Sequence, residues 1–241
     1  MSIAAARELA PTGVLRAAIN LANFLLVTGE NENGEPTGVS PDLAASIAKA
    51  LEVEICYVGF NRPGELADAV VDDSWDIGLI AAEPARAQHI DFTAAYVEIE
   101  ATYLVSGDSK IQTITDVDQA GVRVAVAARS AYDLYLSRHL QHAELVRAEG
   151  LDESFELFVR EQLDALAGLK PRLLSDVERI ENARILAGRF TAVQQAIGTP
   201  SGRPVGFAFL REYVENAKVS GLIAGLIARH DVKGLSVAPP E

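Results

Sequence analysis

The chain has a single cysteine, Cys56, among 241 residues. One thiol excludes an intrachain disulfide and any metal site built from several cysteines. It lies in the apolar run 55–58, so we predict that the thiol is buried. Basic residues are also scarce, because 21 lysines and arginines stand against 34 aspartates and glutamates, a formal charge of −13. This balance disfavours nucleic acid and anionic membranes as partners, since both need a positive binding surface.

Long apolar runs, leader sequences and the common cofactor-binding motifs are absent as well. No stretch approaches the roughly 20 apolar residues of a membrane-spanning helix. The first fifteen residues lack the basic and apolar segments of a secretory signal. We therefore expect no membrane insertion, and a chain that is cytoplasmic as written or periplasmic if a leader was removed. Without a P-loop, a G-x-G-x-x-G turn or a G-x-S-x-G elbow, we predict no cofactor. His139 and His142 have a spacing that could hold a metal, but no third ligand is evident, so we predict no metal.

Short β-branched runs alternate with amphipathic helical runs, which indicates an α/β fold with mostly parallel strands. Ser40, followed by Pro41 and Asp42, predicts a helix start with Ser40 as its side-chain cap. The same pattern restarts after a polar connector at 106–112, so we predict two α/β units. The predicted strands are 14–19, 53–58, 77–81, 122–127, 145–148, 163–167, 183–186 and 193–197.

Two segments that follow predicted strands carry groups suited to an anion. Ser130 and Asp133 have the spacing of a capped helix start, where free backbone N–H groups can bind an anion. An ordinary capped helix explains the same residues equally well. Arg86 follows the strand 77–81 and can present two parallel N–H donors to a carboxylate. The alternative is a surface arginine paired with Glu83 or Asp91.

Four segments, taken in their order and spacing, carry a resemblance to a known family. They are residues 38–44, 75–78, 86–93 with Tyr96 following, and 124–130. Together they resemble the family-three solute-binding proteins of amino-acid ABC transporters, which have the type II periplasmic-binding-protein fold. The resemblance covers about residues 14–230.

This resemblance implies a two-lobed α/β fold. Each lobe would be a mostly parallel sheet flanked by helices, with two crossing strands as the hinge. Residues 1–104 and 202–241 would form lobe 1, and residues 105–201 would form lobe 2. The implied function is that of a non-enzymatic binding protein that clamps a small carboxylate-bearing molecule, an amino acid or an organic acid, between the lobes. An ABC permease is then a candidate partner, and we expect a monomer.

Matching the family's site position by position yields the candidate ligand-binding residues. Arg86 matches the arginine that holds the ligand's carboxylate, and Ser130 with Ala131 matches the second-lobe helix start that donates to it. Asn23 stands where the family usually has an aromatic residue. The remaining candidates are Asn20, Glu83, Tyr132, Lys170 and Gln194.

One departure from the family pattern bears on the ligand's chemistry. The family has an aspartate shortly after the position of Asp164, where it holds the ligand's ammonium group. Gly-Leu-Lys stands there instead, at 168–170. Because a buried ammonium without a carboxylate is costly, the ligand either lacks an ammonium or meets another acid such as Glu83. Lys170 can add a second positive contact that favours a dicarboxylate, or it can be a solvated lysine.

Two other functions remain open at this point. One is a lyase on the same scaffold, resembling the cyclohexadienyl dehydratases. Arg86 would hold the substrate's carboxylate, and an acid such as Glu83 would protonate a leaving hydroxyl. The other is a cytosolic ligand-sensing module that partners another protein.

Overall fold

The computed structural model describes residues 2–241. Met1, with which the predicted lobe 1 begins, lies outside the described residues. The chain folds into two compact units. Unit 1 contains the chain up to Glu98 together with Gln194–Glu241, and unit 2 is Ile99–Val193. Strands and helices alternate in both units, so the predicted α/β class is confirmed.

The secondary structure of residues 2–241 is as follows. The α-helices are α1 (Ser2–Leu9), α2 (Val39–Leu51), α3 (Pro63–Asp68), α4 (Ala131–His139), α5 (Leu151–Arg160), α6 (Lys170–Val177), α7 (Pro204–Val219) and α8 (Leu222–Arg229). The strands are β1 (Val14–Asn20), β2 (Gly29–Glu30), β3 (Pro36–Thr37), β4 (Glu54–Phe60), β5 (Ile77–Ala81), β6 (Ile90–Phe92), β7 (Val97–Ser106), β8 (Arg123–Ala127), β9 (Glu144–Ala148), β10 (Ala165–Leu169), β11 (Ala183–Ile185), β12 (Thr191–Pro200) and β13 (Ser236–Val237).

The sheet of unit 1 has β1 at its centre. This strand pairs in parallel with β4 on one side and with β5 on the other, and β12 then pairs antiparallel with β5. Alternate β1 side chains, Leu15, Ala17 and Ile19, are fully buried in the largest core cluster. Helices α1, α2, α7 and α8 contribute apolar residues to that core. The sequence did not predict α1, although its Ala5 and Leu9 are completely buried.

The start of α2 differs from the prediction. Its N-cap is Gly38, and Ser40 makes no capping hydrogen bond. Instead the Ser40 hydroxyl is buried 2.9 Å from the hydroxyl of Tyr96. The polar side chain that looked like a cap therefore satisfies a buried tyrosine from a distant part of the chain. The inner face of the helix carries Leu43 and Ile47, which are fully buried.

The prediction of a buried Cys56 thiol is wrong, because this side chain is exposed. It lies on β4, whose pairing partner is β1 and which forms the edge of the unit 1 sheet. Side chains alternate between the two faces of a strand. Cys56 and Glu54 share the solvent face of β4, while Ile55 and Tyr57 face inward.

The sheet of unit 2 has β8 at its centre, paired in parallel with β9 and with β10. Strands β10 and β11 each pair antiparallel with β7. One face is covered by α5, whose Phe155 and Phe158 pack against Leu166 and Leu173. The parallel arrangement brings the carboxyl ends of β8 and β10 to the same edge, where α4 and α6 begin.

Candidate functional site

In unit 1 the candidate residues gather at the carboxyl edge of the sheet. Strands β1 and β5 run in parallel with Ile19 opposite Leu79, so Asn20 and Ala81 end these strands side by side. Loops at the carboxyl ends of parallel strands are the usual place for ligand-binding groups in α/β folds. The following segments of both strands carry the polar side chains described below.

Arg86 is held in a tight turn directly after β5. The backbone N–H groups of Arg86 and Ala87 both donate to the carbonyl of Glu83, at 2.9 and 3.0 Å. The folded turn returns the Arg86 side chain to the strand end, where its guanidinium donates to the Ala81 carbonyl at 2.7 Å. Only 6% of Arg86 is exposed, so its orientation is well determined by packing. A guanidinium fixed in this way is suited to a carboxylate, which it can bind through parallel N–H donors.

Asn20 and Asn23 have different roles in the loop after β1. Among residues 2–241, nothing hydrogen-bonds to the buried Oδ1 of Asn20. The Oδ1 of Asn23 accepts from the N–H of Leu25 at 3.3 Å, and its carbonyl accepts from two further N–H groups of the same turn. Asn20 therefore has an unsatisfied acceptor, whereas Asn23 stabilises its own loop.

Phe24 is an exposed aromatic residue that was not predicted from the sequence. It directly follows Asn23, and 39% of it is exposed although Asn23 and Leu25 on either side are buried. The resemblance to the family places the aromatic position at Asn23, one residue earlier. The sequence signal that could have identified Phe24 is an aromatic residue in the short turn after a strand.

Gln194 is the residue at which the chain returns from unit 2 to unit 1. Its side chain donates to Glu98 at 3.0 Å, and its carbonyl accepts from Ala82 at 2.9 Å. Gln195 points to the opposite face and is 4% exposed. Successive side chains of a strand point to opposite faces, so only one of the two glutamines can face the edge that carries Glu98. Glu98 is a second residue that was not predicted, although it alternates with the buried apolar Val97 and Ile99.

In unit 2, Ser130 caps α4 as predicted. Its hydroxyl accepts from the N–H of Asp133 at 3.1 Å, and the Asp133 carboxylate accepts from the N–H of Arg129 at 2.7 Å. Arg129 has a positive φ of 59°, which turns the chain from β8 into the helix. Ala131 and Tyr132 follow in the first turn and are 7% and 3% exposed. Burial raises the pKa of Tyr132, so its hydroxyl stays protonated.

Lys170 lies at the same edge of unit 2, as the first residue of α6. Its ammonium is 2.8 Å from Glu100 Oε2, and Arg189 approaches the other oxygen of Glu100 to 3.8 Å. The hydrogen bond from Lys170 lowers the pKa of Glu100, with a smaller effect from Arg189. The structure thus favours a paired lysine over a purely solvated one.

Comparison with known proteins identifies the family. The model of the bacterial extracellular solute-binding proteins, family 3, matches residues 23–230. The chain belongs to this family. The expected resemblance is therefore confirmed, and the matched range contains every candidate residue except Asn20.

Individual relatives of this family 3 protein are distant in sequence. The amino-acid-binding protein AabA of Dichelobacter nodosus is 22% identical over 176 residues, which cover 72% of this chain and 70% of AabA. A crystal structure of AbpA from Streptococcus pneumoniae bound to L-arginine is 19% identical with a TM-score of 0.74, covering 92% of this chain and 96% of AbpA.

A third relative is the ancestral amino-acid-binding protein AncCDT-1, described as a precursor of cyclohexadienyl dehydratase. It is 22% identical with a TM-score of 0.74, and the match covers 92% of this chain and 96% of AncCDT-1. These structural matches establish the type II periplasmic-binding-protein fold for the family 3 chain. Within residues 2–241, no helix has the length and apolar character needed to cross a membrane.

Proposed function

We propose that this family 3 protein binds a small molecule with a carboxylate group, an amino acid or an organic acid, and that Arg86 receives the carboxylate. The observation that carries this proposal is the buried guanidinium held at the end of β5 by the Ala81 carbonyl. The orphan acceptor on Asn20 lies on the neighbouring strand and suits a donor group of the same molecule. Relatives that bind amino acids support this ligand class.

The other candidate residues have defined places in this proposal. The capped helix start at Ser130 and Ala131 presents backbone N–H groups, and Gln194 lies at the unit 1 edge beside Glu98. The two predicted lobes, 1–104 with 202–241 and 105–201, and the clamping of the ligand by them are part of the same proposal. We further propose that the protein acts as a monomer, works with an ABC permease and functions outside the cytoplasm, as the family's extracellular description suggests.

The first prediction concerns Arg86. Replacing it by alanine removes the fixed guanidinium, and we expect the affinity for a carboxylate ligand to fall by about a hundredfold or more. Isothermal titration against the common amino acids and small organic acids measures the effect. Arg7→Ala, which removes an exposed arginine from α1, is the matched control and should leave binding unchanged.

Thermal melts and the conservative variant Arg86→Lys separate lost binding from lost folding. A folded Arg86→Ala protein that binds the wild-type ligand with full affinity would show that the site is elsewhere. If the wild-type protein binds no molecule of either class, the proposed function itself is wrong.

We also propose that binding is not followed by catalysis. The alternative is a lyase, because a structural relative is a precursor of a dehydratase. In that case Glu83 would be the acid beside Arg86. Incubation with prephenate or arogenate, followed by the absorbance of the aromatic product, tests it. Turnover that is abolished by Glu83→Gln would establish a lyase instead of a binding protein.

A further inference from the structure

Two helix starts and two cationic side chains, Lys170 and Arg189, lie at the carboxyl edge of the unit 2 sheet. The adjacent parallel strands β8 and β10 both end there, and each leads directly into a helix, α4 after Ser130 and α6 at Lys170. The start of a helix carries a partial positive charge and free N–H groups. Lys170 adds a full charge to one of these helix starts.

Two cations share one carboxylate at this edge. Glu100 is opposite the end of β10, because its neighbour Ala101 pairs with Leu169. Lys170 lies 2.8 Å from one oxygen of Glu100, while Arg189 lies 3.8 Å from the other. The longer separation exceeds hydrogen-bond distance. The group of three therefore has a net charge of one positive unit, with Arg189 only loosely engaged.

This arrangement disfavours a cationic group of a ligand. Glu100 already compensates Lys170, so an ammonium would have to displace the lysine and would be repelled by Arg189. An anionic group meets the reverse situation, because it can contact Lys170 and Arg189 and complete the charge balance of the group. All three side chains are 40–49% exposed, which leaves them accessible.

We infer that Lys170 and Arg189, with Glu100 between them, bind a second acidic group of the solute. The preferred solutes are then dicarboxylates, or amino acids with an acidic side chain, and not neutral or basic amino acids. This inference rests on the proposed function, since Arg86 is expected to take the first carboxylate. Glu100 acts as an internal competitor for Lys170 and weakens binding of the second acidic group.

The test compares ligands that differ in one acidic group. Titration calorimetry uses glutamate against glutamine, and the dicarboxylates from malonate to adipate against their half-amides. We expect the wild-type protein to prefer at least one diacid over its half-amide by about tenfold or more. Lys170→Met should abolish most of this preference and leave the affinity for the half-amide within about twofold. Lys170→Arg should retain the preference.

Two variants of unit 2 sharpen the test. Glu100→Gln frees Lys170, so we expect the diacid to bind several-fold more tightly. Glu161→Gln makes the same change at another acid of unit 2 that is 44% exposed and paired with a cation, Arg160 at 3.3 Å, and should leave the preference unchanged.

The inference and the proposed function fail in different ways. Equal affinity for diacid and half-amide, an equal effect of Lys170→Met on both, or a preference that is lost in Glu161→Gln but kept in Lys170→Met would overturn the inference. In each of these cases carboxylates still bind and depend on Arg86. If no carboxylate binds the wild-type protein, both are overturned.

Discussion

Asp76 shows at the scale of one residue how burial changes the value of a charge. It lies just before β5 and is completely buried. One of its oxygens accepts from the N–H and the Nε of Arg16 at 3.0 and 2.9 Å, and the other accepts from Arg16 and Arg203 at 2.8 and 3.0 Å. These bonds fix the beginning of β5, and the turn that follows the other end of this strand carries Arg86.

We predict that Asp76→Asn destabilises the protein by about 2–4 kcal/mol, because the amide keeps the shape but leaves two arginines without a buried counter-charge. Asp73→Asn is the matched control, since Asp73 also contacts Arg16 and Arg203 but is 75% exposed. Its loss should cost less than about 1 kcal/mol. Urea unfolding measures both values, and equal costs would contradict the role given to burial.

The candidate site residues illustrate what a sequence can predict at this scale. Arg86 and Ser130 could be proposed from the sequence because each follows a recognisable strand and has one characteristic chemistry. Phe24, Glu98 and Glu100 could not be proposed in this way. Their relevance depends on which strands lie side by side and on which face a side chain projects, and neither property is encoded in the local sequence.

Helices and strands were easier to predict than their ends. The strand over 77–81 was predicted at the observed bounds of β5, because a run of buried apolar residues has few alternatives. The start of α2 was misplaced, because Ser40 is equally suited to capping a helix and to bonding the hydroxyl of Tyr96. That choice is made by tertiary contacts, as is the docking of α1.

Gly38 is the residue that α2 requires at its start. Its φ of 141° and ψ of −173° lie in a region that is essentially restricted to glycine. A Cβ atom there would lie 2.4 Å from the carbonyl oxygen of Leu26. We predict that Gly38→Ala destabilises the protein by about 2 kcal/mol or more, measured as a shift of the urea midpoint.

Gly225 is the contrasting glycine at the scale of an element. It lies inside α8, and a Cβ built on it has no neighbour within 4 Å. Alanine there should therefore stabilise the protein by about 0.5–1 kcal/mol, because it lowers the entropy of the unfolded chain. A destabilising Gly225→Ala, or a neutral Gly38→Ala, in the same urea experiment would contradict these roles of the two glycines.

At the scale of the whole molecule, pH has two opposing effects on stability. The first comes from the formal charge of −13. Above neutral pH the folded chain is destabilised by repulsion among its acidic groups. This repulsion decreases as carboxylates begin to titrate near about pH 5. It also decreases with salt, since exposed charges are screened over about 10 Å at 0.1 M.

The second effect comes from carboxylates that the folded state keeps ionised. Hydrogen bonds from Lys170 and Arg172 lower the pKa values of Glu100 and Asp152, and a bond from Lys218 lowers that of Glu215. Hydrogen bonds from backbone N–H groups lower the pKa of Asp118, and the N–H group of Ala143 has the largest effect. A carboxylate whose pKa is lower in the folded state contributes stability above its unfolded pKa, and this contribution is lost as the pH falls through the folded value.

Together the two effects predict a maximum of stability on the acidic side of neutral. The melting temperature should rise or stay level from about pH 8 to about pH 5, as repulsion is relieved, and should fall steeply below about pH 4.5, as the paired carboxylates are protonated. About 0.3 M NaCl should raise the melting temperature at pH 8 and have a smaller effect at pH 5. Thermal melts followed by circular dichroism, across this range and with and without the added salt, provide the measurement. A melting temperature that keeps rising below pH 4 would mean that the paired carboxylates contribute little to stability. The stability lost by protonating them would then be smaller than the stability gained by relieving the remaining negative charge.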